Sequence, residues 1–202
     1  MAEDKQTGRI AQFLFEVSTL RFITRSHRQT LFENDPSDNI ASHSFNVAMI
    51  GFFLAKMEEV NWQKVMIMCL LHDLGEVRTG DHNWIHRRYV SEDDERVLEE
   101  QLGLLPFSEL ADMAREYRAR QSSESIVAKD ADILGQVVLL KEYEQKGNQE
   151  AKLWLAGKSR KRPYAYLDQV KTASGRALGM ALYDERASSW WDNLYTHQRI
   201  GK

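Results

Sequence analysis

Apolar positions recur along this chain at helical rather than strand spacing. Ile10, Phe13, Leu14, Val17 and Leu20 fall on one side of a helix expected from about Gly8 to Ile23. A second helix is expected from near Ser42 to about Glu59, with Val47, Ile50 and Leu54 along one stripe. A third should start after Asn61, whose side chain suits a helix N-terminus, and run to His72 or just beyond. Further helices are expected over Ser91–Leu102, Pro106–Tyr117 and Ser122–Gln145, and a last long one from Tyr164 to about Trp191. Ser26–Asn39 is polar and turn-rich, and Gly75 and Gly80 bracket a bend. Period-two alternation flanked by hairpin turns is missing from the sequence. The expectation is an all-α fold of six or more helices, with residues 1–202 forming a single domain.

Four residues interrupt these apolar stripes. His43 opens the stripe of the second helix, His72-Asp73 ends the run Val65–Leu71, and Asp132 sits within Ile126–Leu140. Ionisable groups on core-facing positions are costly unless paired or bound to a metal. Neighbouring residues on a regular helix diverge by about 100°, so a cation shared by His72 and Asp73 must lie over the edge between them. His43 and Asp132 would complete its shell from other helices. Imidazole and carboxylate without thiolate suit one divalent ion such as Mn, Co, Fe, Ni, Mg or Zn.

Composition narrows the classes. Of 202 residues 43% are hydrophobic and 28% charged, with a formal net charge of −3. That balance calls for neither nucleic acid nor an anionic membrane as partner. The single cysteine, Cys69, lies in the most apolar run and is expected to be a buried hydrophobe. The charged N-terminus has no apolar leader pattern and the run Val65–Leu71 is too short to span a bilayer, so a cytoplasmic location is expected. The basic run Lys158–Arg162 lacks interleaved aromatics and reads as a solvated loop. Trp154, Trp190 and Trp191 read as core or subunit contacts.

The motifs Ser42-His-Ser-Phe-Asn-Val-Ala48, His72-Asp-Leu-Gly-Glu-Val-Arg-Thr-Gly-Asp81 and Ser122–Asp132 occur in unbroken order. Together they resemble the HD-domain metal-dependent phosphohydrolases, and within them the 5′-deoxynucleotidase branch, over roughly Thr19 to Gln145. The resemblance implies a multi-helix bundle, His43, His72, Asp73 and Asp132 as metal ligands, a nucleotide substrate and a homodimer. The helical segments Ala177–Tyr183 and Ser189–Tyr195 offer apolar surface for the last. The family's Lys-x-x-Asp spacing selects Asp132 over Asp130, with Lys129 as the lysine, and leaves Asp130 to solvent. Asp132 shares a helix face with Glu124, Ala128 and Gln136.

The resemblance also implies that Glu76 is the general acid and that Asp81 lies near the substrate's sugar and phosphate. Read alone, Glu76 could be a surface carboxylate and Asp81 a helix cap. Glu124 is either a group that orients a metal ligand or a cap. For the phosphate, counting back from His43 without a gap selects Arg28, whereas a short insertion near Asp35–Asp38 selects Arg25. The chain departs from the family at the next position. There the deoxynucleotidases carry a tryptophan against the sugar, and here Gln29 follows Arg28 and Ser26 follows Arg25. Removal of a 5′-phosphate from a nucleoside monophosphate is the expected activity. A phosphodiesterase or nucleotide pyrophosphohydrolase that recruits His82 and His86 to a second ion is one alternative. A non-catalytic nucleotide-sensing protein is the other.

Overall fold

The computed structural model describes residues 2–157, 164–192 and 194, so the basic run Lys158–Arg162 lies outside the described residues. Helices account for nearly all regular structure, and the β pairing among the described residues is one isolated bridge between Thr24 and Asn39. The all-α expectation holds.

Three helices form the centre: α3 (Ile40–Met57), α4 (Trp62–Leu71) and α8 (Ser123–Gln145), numbered in chain order. Each begins with a side-chain cap. Asn39 accepts from the amide of Ser42, Asn61 from that of Lys64 and Ser122 from that of Ser125, which satisfies donors the helix leaves unpaired. Val47, Leu54, Val65, Met68, Leu134, Val137 and Leu140 bury completely where these helices meet. Cys69 is buried among them and burial pushes its thiol pKa up, as befits a packing residue. By length and composition α3 alone among the described helices could cross a membrane; here its inner face is core.

The outer helices divide between two clusters. Against the centre pack α9 (Gln149–Leu155) and α10 (Ala173–Asp184). A second, smaller cluster holds Leu20, Ile40, Leu74, Leu98, Leu102 and Ala111. It joins α1 (Ala2–Ser18), with its 3₁₀ turn Thr19–Phe22, to α6 (Asp94–Leu98) and α7 (Glu109–Ala119). Two single-turn helices, α2 (Arg28–Leu31) and α5 (Glu76–Thr79), carry the loops in front of the central trio.

Three expectations need correcting. The last long helix is broken: a 3₁₀ turn at Ala165–Asp168 is followed by extended backbone, and α10 starts only after Thr172, which caps the amide of Gly175. The break is held by Asp130, which is 1% exposed and not solvated. Its carboxylate accepts from the amides of Lys171 and Thr172 and from the Thr172 hydroxyl, at 3.0, 2.7 and 2.7 Å. Trp190 and Trp191 are exposed and stack edge-on against each other, whereas Trp154 packs on the core. Two short helices, α2 and α9, were not anticipated; Asn148 caps α9 and ties it to α2 through the Leu31 carbonyl.

Close approach at the centre depends on Gly51. A Cβ there would meet Cys69 Sγ at 2.7 Å and Val65 Cγ1 at 3.2 Å, neither with room to withdraw. Alanine in place of a mid-helix glycine is normally stabilising by about 1 kcal/mol. Gly51→Ala should instead destabilise by about 1–3 kcal/mol, the usual cost of overpacking, as read from urea unfolding. A gain in stability would mean that α3 and α4 can move apart freely.

Candidate metal centre and its cavity

The caps and helix ends aim the ligands. Asn39 starts α3 so that His43 lies in its first turn, and His72 takes helical backbone angles (φ −60°, ψ −38°) just past α4. His72 Nδ1–H donates to the Cys69 carbonyl at 2.7 Å, which turns Nε2 toward the centre. Asp132 projects from the third turn of α8.

These side chains converge. His43 Nε2 and His72 Nε2 are 3.2 Å apart, His72 Nε2 lies 3.0 Å from Asp73 Oδ2, and His43 Nε2 lies 3.1 Å from Asp132 Oδ1. Asp73 Oδ2 also stands 3.7 Å from His43 Nε2, and Asp132 Oδ1 3.6 Å from His72 Nε2. Ligand atoms of His43, His72 and Asp73 all fall within 4.8 Å of one another.

The electrostatics fit a cation at this point. Burial works against a charged His72, yet Asp73 and Asp132 outweigh it and raise its pKa to about 10. Burial dominates at His43 and lowers its pKa, with Asp132 opposing. Asp73 stays ionised despite burial because of His72, with a pKa of about 2, and Asp132 lies well below the ordinary carboxylate range with His43 and His72 as its partners. A proton on His72, flanked by Lys129 and Arg25, thus faces two carboxylates, while two ring nitrogens stand at hydrogen-bond distance. A divalent ion here would meet imidazole and carboxylate donors together, a set that suits a borderline or hard dication. Lys129 Nζ, 2.7 Å from the other Asp132 oxygen, holds that carboxylate in place.

A cavity of about 660 Å³ opens over His72, Asp73 and Asp132. Glu76, at the start of α5, lines it with a buried Oε2 that has no partner. Burial and the neighbouring carboxylates of Asp73 and Asp81 raise its pKa to about 9, so it holds its proton. Asp81 is no helix cap: its Oδ2 accepts from the Ser26 amide at 2.6 Å and faces Arg25 Nε at 3.6 Å.

Of the two candidate phosphate arginines, Arg25 lines the cavity, placed through the Thr24–Asn39 bridge and the Arg25 amide's bond to the Asp38 carbonyl at 3.0 Å. Its guanidinium lies 4.0 Å from Asp73 and donates to Gln136 Oε1 at 3.4 Å. Arg28 is in α2 and does not line the cavity, and exposed Gln29 accepts from the Asn83 side chain at 3.3 Å instead of facing it. Glu124, in the first turn of α8, is not a lining residue either, and the cap of that helix is Ser122. His82 is engaged by Glu92 at 2.7 Å, with the His86 ring 5.7 Å away. Sequence reasoning missed Tyr117, Arg120, Trp84 and the substrate-facing place of Gln136. Of these only Gln136 carried a signal, one turn beyond Asp132.

The comparisons with known proteins agree with this geometry. A family model described as an HD domain matches residues 17–170. A 5′-deoxynucleotidase of Pasteurella multocida is 30% identical over 159 residues, covering 71% of this chain and 80% of that protein. A 5′-deoxynucleotidase of Dictyostelium discoideum is 27% identical over 125 residues, covering 55% of this chain and 66% of its own length. Among solved structures, a predicted metal-dependent phosphohydrolase from Magnetospirillum magnetotacticum superposes with a TM-score of 0.60 at 25% identity, covering 90% of this chain and 95% of that one. A conserved hypothetical protein from Pyrococcus furiosus shares the fold, with a TM-score of 0.68 at 22% identity over 85% and 98% of the two chains. Helical architecture, metal-ligand cluster and family match lead to one conclusion: this chain belongs to the HD-domain family, in its 5′-deoxynucleotidase-like branch.

Proposed function

We propose that this metal-dependent phosphohydrolase removes the 5′-phosphate of nucleoside monophosphates. The observation that carries the reading is the meeting, in one cavity, of a proton-bearing carboxyl (Glu76) and a buried guanidinium (Arg25) beside the His/Asp cluster. A metal site kept only for stability has no use for either.

A divalent ion held by His43, His72, Asp73 and Asp132 would supply the Lewis acidity that activates water and draws charge from the phosphoryl oxygens. The protein residues do the rest. Arg25 holds non-bridging oxygens, a role for which a guanidinium's paired donors are suited. Asp81 fixes Arg25 and the Ser26 backbone, so the phosphate meets a preset site. Glu76 gives its proton to the leaving 5′-oxygen as the P–O bond breaks, the water's oxygen forms the new P–O bond from the opposite side, and the proton the water gives up returns to Glu76. Burial and then Asp73 and Asp81 hold the Glu76 pKa at about 9, and a cation on Asp73 would lower it by offsetting that neighbour's charge.

Glu76→Gln should retain metal and substrate binding and lower kcat by roughly 10²–10⁴-fold, seen in a steady-state assay on nucleoside monophosphates. An unaltered kcat would remove Glu76 from the chemistry. Arg25→Gln should reduce kcat/KM while Arg28→Gln leaves it near the parent value; the reverse pattern would restore the ungapped alignment of this loop with the family.

Sugar selectivity should be weak. Neither Ser26 nor Gln29 puts a flat apolar wall against C2′, so little rejects a 2′-hydroxyl. Matched kcat/KM measurements on dAMP and AMP should differ by less than about tenfold, as a pocket without a dedicated contact discriminates poorly. A strong deoxy preference that disappears in Trp84→Ala would assign the sugar wall to Trp84, which lines the same cavity.

A further inference from the structure

Nine buried side-chain polar atoms lack a hydrogen-bond partner among the described residues, and six of them belong to residues of this one cavity. Four of the six are N–H donors: Arg25 Nε and Nη1, Arg120 Nη1 and Gln136 Nε2. Buried donors without acceptors are rare in native proteins and point to a missing acceptor. Solvent-exposed loop arginines would show no such deficit.

Each of the two unassigned residues is set in position by a separate device. The Gln136 oxygen is taken by Arg25 Nη2, which turns its amide N–H₂ away from Arg25. Gln136 stands one turn beyond Asp132 on α8, on the same face. Arg120 closes α7 in the left-handed region (φ 55°, ψ 33°), a conformation unusual for a residue with a side chain. Its guanidinium carbon lies over the Tyr117 ring, 3.3 Å from the centroid, and Tyr117 is edge-on to His72 at 5.7 Å. Stacking leaves the guanidinium's in-plane N–H groups free at its rim. Arg25 approaches from the side of Asp73 and Asp81, and Arg120 from the side of His72 and Tyr117.

We infer that Arg120 and Gln136 join Arg25 in a receptor for the terminal oxygens of the substrate's phosphoryl group. The ligand chemistry follows from the count. A nucleobase carbonyl offers one neutral acceptor, too few for the unpaired donors that Arg25, Arg120 and Gln136 bring to the same cavity. A phosphoryl group offers three terminal oxygens, each able to accept more than one hydrogen bond, and its negative charge. This inference rests on the phosphohydrolase reading and adds two specificity-determining residues to it.

The test is binding of inorganic phosphate to Mn²⁺-loaded protein by calorimetry, with metal content measured for every variant. Arg120→Gln should weaken phosphate roughly 10–100-fold, the worth of a charged hydrogen bond, and Gln136→Leu by about 3–10-fold. Metal content should not change. Arg118→Gln should leave phosphate binding intact, because Arg118 is engaged by Asp94 and Glu95. Arg120→Gly should raise Tm by relieving the left-handed residue while losing phosphate affinity, a combination no purely structural role produces. If both variants bind phosphate like the parent and lose only affinity for adenosine, the donors read the base and the inference fails. Should phosphate binding respond as described while no nucleoside monophosphate is hydrolysed, the receptor stands and the nucleotidase reading falls.

Discussion

Two imidazoles and two carboxylates are brought together in the protein interior at the junction of α3, α4 and α8. Within the cluster one proton on His72 stands against two carboxylates, with Lys129 on Asp132 and Arg25 beside Asp73 as the flanking cations, while burial lowers the His43 pKa. Desolvating charged groups costs several kcal/mol per ion unless geometry and partners compensate. The surrounding structure supplies that geometry. Asn39 starts one helix, the Cys69 carbonyl orients one imidazole, and Lys129 fixes one carboxylate.

Close packing is what makes the junction possible. Besides Gly51, α8 carries Gly135, where a Cβ would meet Val47 Cγ2 at 2.8 Å and His43 Cε1 at 3.4 Å. The absence of a side chain there lets α8 bring Asp132 up to His43. Asp130, two residues away, faces the other side and holds the start of α10 with three hydrogen bonds from Lys171 and Thr172. One stretch of α8 thus serves the metal centre on one face and the packing of α10 on another. Divergence of neighbouring side chains around a helix permits this.

The helices and the convergence of His43, His72, Asp73 and Asp132 were legible in the sequence because both leave periodic marks. Apolar stripes located α3, α4 and α8 to within two residues or so, and ionisable residues set in those stripes marked the ligands. Side-chain caps such as Asn61 and Ser122 added the helix starts. What the sequence obscured was set by contacts distant along the chain. Asp130 looked exposed until α10 folded over it. The choice between Arg25 and Arg28 turned on how the Ser26–Asn39 loop folds back, through the Thr24–Asn39 bridge and the Asp38 carbonyl. The break between Asp168 and Ala173 was hidden because both sides keep helical spacing, although Thr172 is a capping residue type. Arg120 gave no sign, since neither its left-handed backbone nor its stacking on Tyr117 follows from its neighbours.

The central claim is that the His43–His72–Asp73–Asp132 cluster is a divalent-metal site whose place in the metal-free protein is taken by a proton on His72. Metal binding requires that imidazole to be neutral, and its pKa of about 10 in the metal-free state means the proton is present at pH 7. Titrating metal-free protein with Mn²⁺ by calorimetry at pH 7, in buffers of differing ionisation enthalpy, reads this directly. The account predicts one site, release of about one proton per ion, affinity that rises with pH, and loss of the site in His72→Ala and Asp132→Asn. Protein that takes up no divalent cation, or binds it with no proton release and indifferently to both substitutions, would contradict it.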